Sequence, residues 1–151
     1  MNLFGVMQVS GSAMLAERQR AEVVTSNLAN AETTRTPEGG PYQRQHVVFA
    51  PASQASFASQ LAAFGAASSM HDARSQGVKV QAIVADNAPP VRKYDPSHPD
   101  ADAQGFVNMP AINPVEEMAD LMGAARAYEL NASAVQATRG MIQNSLDLLK
   151  S

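Results

Sequence analysis

Residues 113–150, NPVEEMADLMGAARAYELNASAVQATRGMIQNSLDLLK, decide how this chain folds. Asn113 suits a helix N-cap, and Pro114 suits the first helical position, where a missing N–H costs nothing. Glu116 stands three residues past the cap, within reach of the cap's backbone N–H. Glu116 and Glu117 also favour the positive end of the helix dipole. From there Met118, Leu121, Ala125, Tyr128, Ala132, Val135, Ile142, Leu146 and Leu149 recur at helical spacing, interrupted by Arg139. A seam sustained over several heptads marks a helix that packs against another helix.

The other end of the chain supplies a second, weaker helix over residues 3–31. Met7, Met14, Ala21, Val24 and Leu28 fit one stripe. Gly11, between Ser10 and Ser12, weakens the first turns, because glycine costs about 1 kcal/mol relative to alanine inside a helix. Ser26-Asn27-Leu28-Ala29-Asn30-Ala31 closes the segment, and Thr36-Pro37-Glu38-Gly39-Gly40-Pro41 is turn chemistry that cannot continue it.

Between the helices the pattern changes to strands. Tyr42 to Phe49, Val78 to Val84, Val91 to Tyr94 and Gly105 to Met109 each read as extended, with Pro89-Pro90 stopping the second. A small antiparallel sheet of three or four strands is expected. Residues 51–75 are Ala/Ser/Gln-rich; Phe57, Leu61 and Phe64 permit a short helix, and the composition reads equally as a flexible insertion. The fold class is therefore α+β: long N- and C-terminal helices pair as a coiled-coil-like arm around a small antiparallel β middle. The segments are residues 1–34, 35–112 and 113–151.

Composition excludes several functions. Among 151 residues the net charge is −3, and the basic residues form no stripe that could follow phosphates, so no nucleic-acid partner is expected. No apolar run approaches the ~20 residues of a membrane span, so no direct membrane insertion is expected. Arg18 is the first basic residue, and Gly5, Gln8 and Ser10 break the apolar start, which does not read as a cleaved secretory leader. The absence of cysteine removes disulfides and Cys-ligated metals.

Candidate chemistry is sparse. Asp95-Pro96-Ser97-His98-Pro99-Asp100-Ala101-Asp102 offers oxygen ligands at alternate positions, but it lacks the glycine and bidentate glutamate of an EF-hand loop. Its prolines and acids favour an ordinary solvated turn. His46, His71 and His98 are scattered, and no nucleophile elbow, phosphate loop or His-Glu-x-x-His occurs. No catalytic residue, cofactor or metal is expected. Met118, Met122 and Met141 read as adaptable packing residues. Asn27 and Asn30 read either as helix-end turn residues or as polar register setters on an interfacial helix.

Energetics favour an assembly. Ordering each residue of a long helix costs roughly 1–2 kcal/mol, and a buried large side chain returns about 1.5–3 kcal/mol at only every third or fourth position. One partner helix leaves such arms marginal. Contacts on a second face, from other subunits, would complete their order.

Five separated segments, in order, resemble the bacterial flagellar rod and hook proteins, and among them the proximal-rod members. They are Ser26–Ala31 with Thr33–Tyr42, Gly77-Val78-Lys79-Val80, Tyr94-Asp95-Pro96 with His98–Asp102, Asn113–Met118, and Ala125-Arg126-Ala127-Tyr128-Glu129-Leu130-Asn131. The match spans nearly everything except 51–75. It implies a structural, non-enzymatic subunit of the flagellar basal body, in the drive-shaft rod that crosses the periplasm. It also implies export without a cleaved leader by the flagellar type III apparatus, and self-assembly through an inner helical domain with the β middle outside. Implied partners are copies of the chain, other rod proteins, the base of the rod near the membrane ring, and the export apparatus. Assembly contacts are then expected at Met7, Met14, Asn27, Leu28 and Asn30, and along the C-terminal series from Met118 to Leu149. The alternative is a secreted amphipathic-helix protein that binds partner helices or a membrane surface. Glu116, Glu117, Asp120, Glu129 and Asp147 make its polar face acidic, which counts against membranes.

Overall fold

The cap at Asn113 sets the start of the longest element. In a computed structural model, which describes residues 3–52 and 77–150, helix α2 runs Pro114–Lys150. The Val115 N–H donates to Asn113 Oδ1 at 3.1 Å, and Asn113 Nδ2 donates to Glu116 Oε1 at 3.2 Å. Glu116 thus meets the side-chain amide of the cap and not its backbone N–H. At 37 residues α2 is ~55 Å long.

Helix α1 spans Leu3–Ala29 and passes through Gly11 without a break. Asn30 then turns the chain: its N–H and its Nδ2 both donate to Ser26 O, at 3.0 and 2.9 Å. Going from Arg20 to Asn27 on α1 meets Asp120 and then Glu117 on α2, so the helices are antiparallel. The core is small, as two helices and short strands allow. Ala16, Val23, Val24, Val107 and Ala124 are its buried apolar residues, joined by buried Ser10, Asn27, Glu117 and Thr138.

Four strands follow the expected order: β1 (Gln45–Pro51), β2 (Val78–Ala85), β3 (Val91–Tyr94) and β4 (Phe106–Met109). They form two separate antiparallel pairs instead of one larger sheet. Pro89-Pro90 lies between the pairs and removes two backbone donors, so β2 and β3 cannot continue one ladder there. In β1–β2 the register runs from Gln45↔Ala85 to Pro51↔Val78, with a bulge between Val48 and Phe49. In β3–β4 it runs from Val91↔Met109 to Tyr94↔Phe106. β1 begins at Gln45 and not at Tyr42, because the Tyr42 N–H is held at 3.0 Å by Thr33 O in the turn after α1.

The β1–β2 hairpin packs along α1, whereas β3–β4 packs on neither helix. That second hairpin has its own small centre. Tyr94 and Phe106 meet edge to face at 5.2 Å, and the Arg92 guanidinium sits 4.7 Å over the Phe106 ring. Its loop is tied back to the turn after α1, where Thr34 Oγ1 donates to Asp100 Oδ2 at 2.7 Å. Of the 51–75 stretch, Pro51 ends β1 and the Ala52 N–H bonds Gly77 O; the short-helix reading of Phe57, Leu61 and Phe64 lies outside the described residues.

Candidate assembly interface

The densest polar chemistry lies where α1 ends, β1 begins and α2 begins. Asn27 is 1% exposed, and both atoms of its amide are fully used. Nδ2 donates to Gln45 O at 2.9 Å and to Glu117 Oε2 at 3.1 Å. Oδ1 accepts from the Gln45 N–H at 2.9 Å and from Tyr42 Oη at 3.2 Å. The side chain therefore pairs with both backbone groups of Gln45 as a neighbouring strand would. Only an amide, with donor and acceptor on one carbon, can do this.

Glu117, also 1% exposed, divides its carboxylate between this amide and the Nε–H of Arg44. The charges continue outward. Arg44 Nη2 lies 3.6 Å from Asp120 Oδ2, and Arg20 Nη2 donates to Asp120 Oδ1 at 3.1 Å. Arg20 Nη1 is 3.7 Å from Glu17 Oε2. Alternating charges thus run from Glu17 and Arg20 on α1 to Asp120 on α2, and on through Arg44, just before β1, to Glu117. A buried carboxylate is tolerable only with such partners, since an unpaired one would neutralise or unfold its surroundings.

The remaining expected contact residues fall into distinct settings. Met7, Met14, Leu28 and Asn30 on or after α1 are half-buried. On α2 the buried positions are Glu117, Ala124 and Thr138, which share one heptad row. Leu121, Ala132, Val135 and Ile142 are half-buried, while Met118, Ala125, Tyr128, Leu146 and Leu149 are exposed. Met118 and Ala125 stand one residue past that row, a rotation of ~100°. The face of α2 that α1 covers is thus small and polar, and the larger apolar side chains lie beside it. Val115, Met122, Leu130 and Met141 are open as well.

Glu117, Asp120, Arg44 and Arg20 were not legible as partners. Arg44 and Glu117 are 73 residues apart, and no local spacing links them. The acids of the Asp95–Asp102 turn are taken up by the protein itself, Asp100 by Thr34 and Asp102 by Arg92 as well as by the turn's own groups. The Ser97 hydroxyl holds the Asp95 carboxyl below its usual range, and the Phe106 N–H does the same for Asp102. Their oxygens face backbone N–H groups of the turn: Ser97 N–H on Asp95, and Gln104 and Phe106 N–H on Asp102. Among the described residues no three His, Asp or Glu side chains converge to hold a metal, and no helix is long and apolar enough to cross a membrane.

Comparison with known proteins agrees with this architecture at both ends. Residues 7–35 match the family model "Flagella basal body rod protein", and residues 103–148 match "Flagellar basal body rod FlgEFG protein C-terminal". Over its whole length the chain is similar to proteins named flagellar basal-body rod protein FlgC. The one from Borreliella burgdorferi is 38% identical, with 99% of each chain covered. That from Bacillus subtilis is 39% identical, covering 99% of this chain and 100% of the relative. That from Salmonella typhimurium is 35% identical, with 98% of each covered.

Proposed function

The chain belongs to the FlgC family of flagellar basal-body rod proteins and is a structural rod subunit, not an enzyme; from that premise we propose that its terminal helices build the rod's tubular wall. The observation that carries this reading is the surface of α2. Val115, Met118 and Met122 are exposed toward one side, and Leu130 and Met141 toward another, while α1 covers a third. A helix apolar on several sides is stable only when it is enclosed. Neighbouring subunits enclose it here, with both termini toward the tube axis and residues 40–110 outside.

The unequal helices favour head-to-tail contacts between different surfaces, which stack axially instead of closing as a two-fold dimer. The partners are copies of this chain and adjoining rod proteins, including the base of the rod at the membrane ring. The flagellar export apparatus delivers the chain, and within the rod it occupies the proximal part. Met7, Met14 and Leu28 on α1 and the open series Met118, Ala125, Tyr128, Leu146 and Leu149 on α2 form the contacts.

Charge insertion on the open face tests this. Leu121, Val135 and Ile142 are half-buried, so an aspartate there would confuse folding with assembly. Met118→Asp and Leu146→Asp place the charge at sites that are about half exposed. We expect each purified variant to show the same circular dichroism as the parent chain while rod assembly and motility are lost, because the charge would be buried unpaired between subunits. Normal motility with both variants would overturn the reading.

A further inference from the structure

A hairpin laid along a helix can slide or pivot unless it is fixed at two points. Asn27 fixes Gln45, where β1 begins. Just over four turns earlier on α1, Ser12 makes the corresponding contact with β2. Its hydroxyl donates to Val9 O at 2.7 Å within the helix and accepts the Val78 N–H at 3.0 Å. Val78 begins β2 and pairs with Pro51, the last residue of β1. Ser12 thus supplies an acceptor at one end of the hairpin, as Asn27 supplies an amide at the other.

The residue before Val78 is shaped to this contact. Gly77 has φ +91°, in the left-handed region, and a Cβ there would overlap Ser12 Oγ and come 3.0 Å from Ser12 Cβ. Glycine is required both for its backbone conformation and for the close approach. The lengths also agree. Ser12 to Asn27 spans ~22 Å of helix, and Gln45 to Pro51 spans ~20 Å of strand. Buried Ala16, Val23 and Val24 lie on α1 between the two contacts.

We infer that Ser12 and Asn27 form a two-point clamp that sets the register of β1–β2 on α1 and makes the hairpin move with the helix as one body. A slip of one residue would shift the strand by ~3.4 Å and exchange its faces. With both ends held, neither slip nor pivot occurs without leaving a backbone N–H unsatisfied. Ser12 is the positioning residue for β2, and Gly77 is its complement.

The test uses the free full-length chain, so its result does not depend on rod assembly. Amide exchange is measured at Val78 in the parent, Ser12→Ala and Ser12→Thr. Losing the acceptor should speed exchange by roughly tenfold in Ser12→Ala, while β3–β4 amides are unchanged, and Ser12→Thr should restore it. Thermal unfolding of Ser12→Ala, Gly77→Ala and the double variant completes the test. Gly77→Ala should lower the midpoint most, and removing the Ser12 hydroxyl in the double variant should relieve part of that loss, so the effects are not additive. Equal Val78 exchange in all three proteins overturns the clamp. If Gly77→Ala does not fold, the Ser12→Ala and Ser12→Thr pair decides alone.

Discussion

The two hairpins are built from the same kind of material and are held in opposite ways. β1–β2 takes its order from outside itself: α1 lies along it, Asn27 completes its first residue, and Ser12 completes its last pair. β3–β4 takes most of its order from within, from the Tyr94–Phe106 contact, the Arg92 guanidinium over Phe106, and Asp102 bonding the Phe106 N–H at 2.9 Å, with Thr34 tying its loop to the turn after α1. An isolated two-stranded ribbon is marginal in water, so each needs a supplement. The difference shows which hairpin reports on the helices. Anything that disturbs the helix pair should reach β1–β2 and leave β3–β4 intact.

The severest way to break that asymmetry is Glu117→Ala. It leaves Arg44 facing Asp120 alone and removes one acceptor from Asn27, and deleting one partner of a buried pair costs about 3–5 kcal/mol. Urea unfolding should show that loss, and amide exchange should rise through β1 and the first turns of α2 while β3–β4 stays protected. Equal loss in both hairpins would mean that they unfold as one unit. Phe106→Leu is the converse and smaller change. It removes the edge-to-face contact and the ring beneath Arg92, at a cost of about 1 kcal/mol. Exchange should rise in β3–β4 only, and a rise at Gln45 would erase the distinction.

Much of this arrangement was legible in the sequence, because local chemistry specified it. Asn113-Pro114 gave the start of α2, the repeated apolar spacing gave its length, and Val91–Tyr94 matched its strand at both ends. What was not legible depended on partners far along the chain. Periodicity located an apolar stripe on α2, but α1 covers the adjacent row through Glu117, Ala124 and Thr138. Small and polar residues allow two backbones to come close, and a search for large apolar side chains passes over them. Asn27 stood out, but whether it turned the chain or set a contact depended on Gln45 and Glu117, which only the fold brings near. Ser12 drew notice only as a neighbour of Gly11, since its role rests on an N–H 66 residues away.

The mildest expected effect is on acid stability. Asp102 has its carboxyl held below the ordinary value of 3.8 by the Phe106 N–H. A group lowered on folding contributes stability that is fully present above its unfolded value and is lost as pH falls through the folded one. Acidification below about 3.8 should therefore loosen the β3–β4 turn, and Asp102→Asn should reduce that pH dependence to the part that Asp95 carries. Asp86, lowered by its hydrogen bond to His46 at the far end of β1–β2, follows the same sign. There the loss should stay local, because Asn27 and Ser12 still hold the hairpin. Amide exchange between pH 5 and pH 3 distinguishes the two, and uniform loosening would show that the helix contacts give β1–β2 no added acid resistance.

The full use of the Asn27 amide has a consequence at the level of the gene. A single-nucleotide change in an asparagine codon yields Asp, His, Lys, Ser, Thr, Ile or Tyr. None of these has two donors and two acceptor lone pairs on one short planar group. Aspartate would keep the shape but lose both donors and set a second negative charge against Glu117. Glutamine would keep the amide but carry it one carbon too far. The position has no conservative neighbour, so the chain cannot drift away from asparagine here by steps that each preserve the contact.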